Sequence, residues 1–106
     1  MFLLRYGMRS LAADASARAD MYAAALEMTA WAETRGCITA AVSQHHVSDD
    51  GYLPSPVPFA AALAARTNTL PISVAALLLA FYEPVKLAED LAIVDLLSRE
   101  IGRAHV

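Results

Sequence analysis

An α/β fold built on a parallel sheet is what this chain predicts, from three observations. Short apolar runs alternate with longer stretches of helical period, in the order strand, helix, strand, helix, strand, helix. The last of the runs, Pro71 to Leu79, is nearly continuous rather than alternating, the pattern of a strand covered on both faces. Hydrophobic residues make up 58% of the 106 positions and charged residues only 18%, a balance that suits part of a larger globular body better than a small free-standing domain. Three such units belong either to a doubly wound sheet or to part of a (β/α)₈ barrel, and periodicity does not separate the two. The chain has only four glycines, and no Gly-x-Gly-x-x-Gly turn follows any strand, so a dinucleotide-binding Rossmann unit loses its main support.

Phe2 to Tyr6 opens the chain as a short strand that Gly7 ends. After an alanine-rich connection comes a helix over about Ala17 to Arg35. Ser16 is its expected N-cap, Asp20 lies near the positive end of the dipole, and Gly36 follows the last turn. Met21, Ala25, Met28 and Ala32 form its expected apolar stripe, with Trp31 beside it. Cys37 to Ser43 is the second strand, and a polar loop, Gln44 to Pro54, follows. Ser55-Pro56 restarts a helix, with serine as cap and proline at the first position, where a missing N–H costs nothing. This helix runs to about Arg66 and is expected to bury Phe59, Leu63 and the alanines between them. Glu83-Pro84 begins the third helix, to about Ser98. Leu87, Leu91 and Val94 form its stripe with Leu97 close by, Lys86 and Asp90 are spaced for an i,i+4 pair, and Glu89 and Asp90 face water. Arg99 to Val106 carries no clear element.

Composition also narrows the function. The formal net charge is −3 with no Lys/Arg cluster, so nucleic acid is not an expected partner. The single cysteine, Cys37, has no internal disulfide partner, and its apolar neighbours predict a buried free thiol in a reducing, cytoplasmic setting. No secretory signal is visible, because Arg5 breaks the opening apolar run. The longest uncharged run, Thr67 to Tyr82, contains Pro71 and falls short of the ~20 residues a membrane-spanning helix needs.

The chemistry concentrates where the second strand ends, at Gln44-His45-His46. In α/β folds the carboxyl ends of parallel strands are where ligands bind. An imidazole there can exchange protons near neutral pH; equally, strand-end histidines can simply satisfy loop backbone. A zinc site needs three or four ligands, and only Asp49, Asp50 and the distant His105 remain to supply them, so no metal is expected. Asp49-Asp50-Gly51-Tyr52 reads as a turn with solvated carboxylates. Arg5 and Arg9 flank the end of the first strand, placed either to meet an anionic ligand group or to lie on the surface. Ala75-Ala76 puts small residues at the third strand's end, where helices crowd a sheet or a flat ligand approaches backbone.

An ordered set of segments then carries a resemblance. Val42-Ser43-Gln44-His45-His46, Tyr52-Leu53-Pro54-Ser55-Pro56 and Ala61 to Thr67 are similar to the start of the bacterial luciferase-like monooxygenases. So are Val74 to Leu79, Tyr82 to Leu91 and Asp95-Leu96-Leu97-Ser98, in the same order and spacing over about Phe2 to Ser98. The resemblance implies an N-terminal part, about three β/α units, of a TIM barrel. It implies reduced FMN, or in one branch a deazaflavin coenzyme, bound at the strands' carboxyl ends. Monooxygenase members use reduced flavin and oxygen on a small organic substrate, whereas deazaflavin members move a hydride without oxygen. By the same resemblance His45 matches the active-site histidine beside the flavin ring. Ala75 and Ala76 match the place where family members hold a non-prolyl cis peptide against it, a bond costing ~3–4 kcal/mol.

Three departures accompany it. Gln44 stands where glutamate is usual, removing a possible charge partner for His45; Ala80 replaces a common proline; and after Ser98 the chain loses the family's glycine-arginine turn into a fourth strand. A barrel needs ~250 residues. Residues 1–106 therefore read as one truncated domain, with both sheet edges open to homodimer formation or self-association and FMN binding expected to be weak or absent. Non-catalytic roles as a remnant or an assembly subunit, and a small metal-binding module, are the rival readings.

Overall fold

Every residue of the described sheet runs in one direction. In the computed structural model, which describes residues 1–10, 14–46, 53–75, 77–99 and 104–105, strands β1 (Phe2–Tyr6), β2 (Cys37–Val42), β3 (Ile72–Val74) and β4 (Ala104–His105) pair in parallel in the order β1-β2-β3-β4. Helices α1 (Ala15–Glu33), α2 (Pro56–Arg66) and α3 (Pro84–Ser98) connect them. Each strand adds next to the one before, so the winding never reverses. With crossovers of one hand, that order puts all three helices on one face. This is the winding of a (β/α)₈ barrel, not of a doubly wound sheet, and it decides between the two architectures open to the sequence.

Burial follows the same division. Tyr6, Ala40, Val42, Ile72 and Val74 point into the core against Ala25, Ala32, Phe59, Leu63 and Val94 of the helices. Their alternates, Leu3, Arg5, Thr39, Ala41, Ser73 and Ala75, are exposed or half-buried. That second face corresponds to a barrel's interior. A register shift between Phe2 and Leu3 leaves Ile38 without a partner, since Phe2 faces Cys37 and Leu3 faces Thr39. The extra residue turns Cys37 back into the core as a buried free thiol, and leaves Ile38 half exposed.

Local chemistry sets the helix ends. Asp14, not Ser16, is the N-cap of α1; its carboxylate accepts from the Ala17 N–H at 2.8 Å, so the helix starts two residues before the expected position. Its buried line is Ala25, Thr29 and Ala32, while Met28 is 47% exposed. The polar Thr29 displaces methionine from the core because Tyr6 reaches it from β1: the hydroxyls meet at 2.6 Å, and Thr29 Oγ1 donates to the Ala25 carbonyl at 2.7 Å. Pro56 and Pro84 open α2 and α3 as expected; Ser55 holds the N-cap position of α2 but its side chain makes no capping hydrogen bond, whereas the Glu83 carboxylate caps α3 by accepting from the Lys86 N–H. The Lys86–Asp90 pair forms at 2.8 Å. Leu87 and Val94 are buried and Leu91 partly so, but Leu97 is exposed, and Ser98 takes its place inward.

Two expectations at the sheet's far edge are overturned. The third strand covers three residues rather than nine; a turn follows Val74, and Leu79–Phe81 form a single 3₁₀ turn with Leu79 67% and Phe81 64% exposed. An apolar run shows that residues prefer to leave water, not that a strand continues. Nor does the tail lack structure throughout. Ala104 and His105 pair with Ile72 and Ser73, so the edge of β3 expected to be open is covered for two residues. Among the described residues no helix is long and apolar enough to cross a membrane.

Candidate functional site

The strands' carboxyl ends meet in one register row after another. Arg5 lies opposite Ala41, Ala41 opposite Ser73, and Tyr6-Val42-Val74 form the next row. Two hydrogen bonds carry the ladder a step beyond the strands: the Ser43 N–H donates to the Tyr6 carbonyl at 3.3 Å, and the Ala75 N–H to the Val42 carbonyl at 2.8 Å. Gly7, Ser43 and Ala75 thus stand side by side at the mouth. With Arg5 and Ala41 they line a cavity of about 140 Å³ that opens on the barrel-interior face. It exists because every residue of that row is small, and Arg5 brings a cation to its rim.

Leu53 braces this row from outside. It is buried, its N–H donates to the Gly7 carbonyl at 2.7 Å, and its own carbonyl accepts from the His45 N–H at 2.8 Å. The ends of β1 and β2 are therefore joined through a residue eight positions beyond His45. Met8, buried just past Gly7, holds φ at 58°, in the left-handed region that a long side chain rarely occupies. Neither feature has a sequence signature.

His45 lies at the carboxyl end of β2 with its side chain exposed. It stands three residues beyond the last strand residue, Val42, and is not among the residues that line the cavity. Ala75 lines the cavity itself. Ala76 lies outside the described residues, as does the Asp49-Asp50-Gly51-Tyr52 turn. Arg9 is exposed.

Gln44 departs most from expectation. In the sequence it stands as a lost charge partner for His45, yet it is buried, 3% exposed, and its side chain serves other groups. Its oxygen accepts from the Leu78 N–H at 2.9 Å and from the Tyr82 hydroxyl at 3.2 Å, and its nitrogen lies 2.7 Å from His46 Nε2. The His46 ring in turn stacks on Phe81, centroids 4.1 Å apart and planes 25° off parallel. Burial pushes the Tyr82 phenol above its ordinary range. The second strand's end and residues 77–82 are one polar-aromatic cluster, and its centre was legible only as a polar residue closing an apolar run.

Residues 5–106 match the luciferase-like monooxygenase family. The uncharacterized protein y4wF of Sinorhizobium fredii is 31% identical over 93 residues, which is 88% of this chain and 27% of that protein. The crystal structure of monooxygenase RslO1 from Streptomyces bottropensis superposes with a TM-score of 0.82 at 30% identity, over 99% of this chain and 31% of that one. The oxygenating constituent of 3,6-diketocamphane monooxygenase from Pseudomonas putida, a type II Baeyer-Villiger monooxygenase in complex with FMN, shares the fold with a TM-score of 0.77 at 22% identity; the match covers 95% of this chain and 27% of that one. The chain thus spans less than a third of the length of each of these relatives.

Proposed function

Because the chain belongs to the luciferase-like monooxygenase family, we propose that its strand ends form one wall of a flavin site in an oxidoreductase of monooxygenase type, which uses reduced FMN and oxygen on a small organic substrate. The observation that carries this reading is the cavity of small residues at the carboxyl ends of three parallel strands, with Arg5 at its rim. A flat ring can lie against strand ends only where side chains are short, and Gly7, Ala41, Ser43 and Ala75 meet that condition. A side chain beyond Cβ at Ala75 would occupy the ring's place. Arg5 is placed to face an anionic group of the ligand. His45, exposed at the end of β2, is the residue to hold or pass a proton at the ring's edge. Ala76 enters this reading through the family resemblance alone.

Bound reduced flavin supplies the electrons by which one oxygen atom enters the substrate and the other leaves as water. The chain's own residues bind, orient and move protons. Its contribution is a part of the site: about 140 Å³ is below the ~300–1,000 Å³ of a pocket that buries a ligand of this size. The 106-residue chain by itself is therefore expected to bind FMN only weakly.

Amide chemical-shift mapping of the ¹⁵N-labelled chain with millimolar FMN tests the reading. Shifts at Arg5, Gly7, Ser43, His45 and Ala75 support it. No shift at those amides, or shifts centred on Asn68 and Thr69 at the opposite end of the sheet, would refute it.

A further inference from the structure

The Gln44 amide has an orientation that its partners dictate. A backbone N–H can only donate, so the amide atom facing Leu78 N must be the oxygen. The NH₂ group then faces His46 Nε2 at 2.7 Å. Two donors cannot share that contact. Nε2 is therefore the acceptor, and the ring hydrogen of His46 is on Nδ1. In one side chain this fixes a tautomer and attaches three segments: the end of β2, the stretch at Leu78, and Tyr82 at the mouth of α3. The His46–Phe81 stack fastens the same stretch at a further point.

Two residues of the proposed site depend on this attachment. His45 lies between Gln44 and His46, and its own N–H is held by Leu53, so its backbone is pinned on both sides. Ala75 opens the stretch that Gln44 draws against β2. Burial makes the arrangement stringent, because a buried amide that loses a partner cannot turn to water.

We propose that Gln44 is a positioning residue for the flavin wall: its amide holds His46 as the Nδ1–H tautomer and fastens residues 77–82 to the end of β2, keeping His45 and Ala75 in place. The proposal rests on the flavin reading above for its purpose, but the geometry can be tested without flavin.

Long-range ¹H–¹⁵N correlation of the His46 ring is the first readout. The unsubstituted chain is expected to show the Nδ1–H tautomer. In Gln44→Glu the carboxylate still accepts from Leu78 and Tyr82 but has no hydrogen for His46, so the ring must donate from Nε2, as the Nε2–H tautomer or as the imidazolium, and a hydrogen appears on Nε2 in either form. A merely space-filling role would not move it. An Nε2–H ring in the unsubstituted chain, or the same tautomer in both proteins, overturns the proposal. The second readout is hydrogen exchange at the Leu78 amide, expected to quicken about tenfold in Gln44→Leu and to stay slow in Gln44→Glu; equal exchange in all three overturns it. With FMN added, the shift at Ala75 should be lost in Gln44→Leu and kept in Gln44→Glu, and its persistence in Gln44→Leu overturns the positioning role. If the unsubstituted chain shows no FMN shifts, the flavin reading fails, while the tautomer and exchange results still judge Gln44 separately.

Discussion

Removing one hydroxyl at a time from the Tyr6–Thr29 pair should give unequal costs, and the inequality follows from who keeps a partner. Tyr6 projects from the last residue of β1 to the middle of α1, where its hydroxyl meets Thr29 Oγ1 at 2.6 Å and the Ala25 carbonyl at 3.2 Å. Its ring packs edge-on against Phe59, centroids 5.7 Å apart. In Tyr6→Phe the ring contact survives, and Thr29 still donates to Ala25 at 2.7 Å. No buried group is orphaned, so the cost is one ordinary hydrogen bond, about 1 kcal/mol. In Thr29→Val the Tyr6 hydroxyl stays buried with only the longer contact to Ala25, and the cost rises to about 2 kcal/mol, within the range of about 1–3 for an under-satisfied buried group. The double variant should cost less than the sum, with a coupling of about 1 kcal/mol. Urea melts followed by circular dichroism measure all three, and each kcal/mol should move the thermal midpoint by about 4–8 °C. Equal single costs, or full additivity, would refute the account. The same pair sets an alkaline limit. Burial, the larger influence, pushes the Tyr6 phenol above its ordinary value of 10.0. A raised folded-state value means stabilisation that is complete below pH 10 and lost as pH climbs through the folded value. Tyr6→Phe should remove that part of the alkaline loss; Tyr22 and Tyr82, also raised by burial, keep the remainder.

Other outcomes follow from single contacts. Leu63→Ala empties a fully buried site in α2 and should cost about 2–5 kcal/mol in the same melts. Glu33 accepts from the backbone N–H groups of Asn68, Thr69 and Leu70, at 2.7 Å for the last; Glu33→Ala should cost about 1.5–3 kcal/mol, with Glu33→Gln recovering part of it. Ala75→Leu should abolish the FMN-dependent shifts at Gly7 and Ser43 while leaving the melt within about 1 kcal/mol, since the side chain faces an open cavity. In acid, Glu27, held below its ordinary 4.5 by Arg66, contributes stabilisation that is present above pH 4.5 and lost as pH falls through the folded value. Glu27→Gln should flatten that limb of the pH profile.

Most of the elements are legible in the chain itself, and few of their limits are. Pro56 and Pro84 marked two helix starts because proline has few other places to go near a helix. Ser16 is a sound capping residue by type, but the cap is Asp14, and only the fold shows which carboxylate or hydroxyl reaches an N–H. Hydropathy puts Met28 in the stripe, but a tyrosine from another element draws Thr29 inward and leaves Met28 half exposed. At the site, His45 and Ala75 could be singled out as a histidine and a small residue at strand ends. Gln44 could not be given its role, because its partners lie 34 and 38 residues away.

By itself the sequence determined that apolar runs and helical stretches alternate, and hence that the sheet is parallel. These are consequences of local periodicity and of chain direction, which each segment carries within itself. The tertiary structure alone decided that the strands add in unbroken order with all helices on one side, that β3 stops at Val74, and that β4 covers its edge. It also placed Gly7, Ser43 and Ala75 together and turned Gln44 inward as a common partner. Each of these depends on which distant group occupies the neighbouring space, and no run of residues states its neighbours.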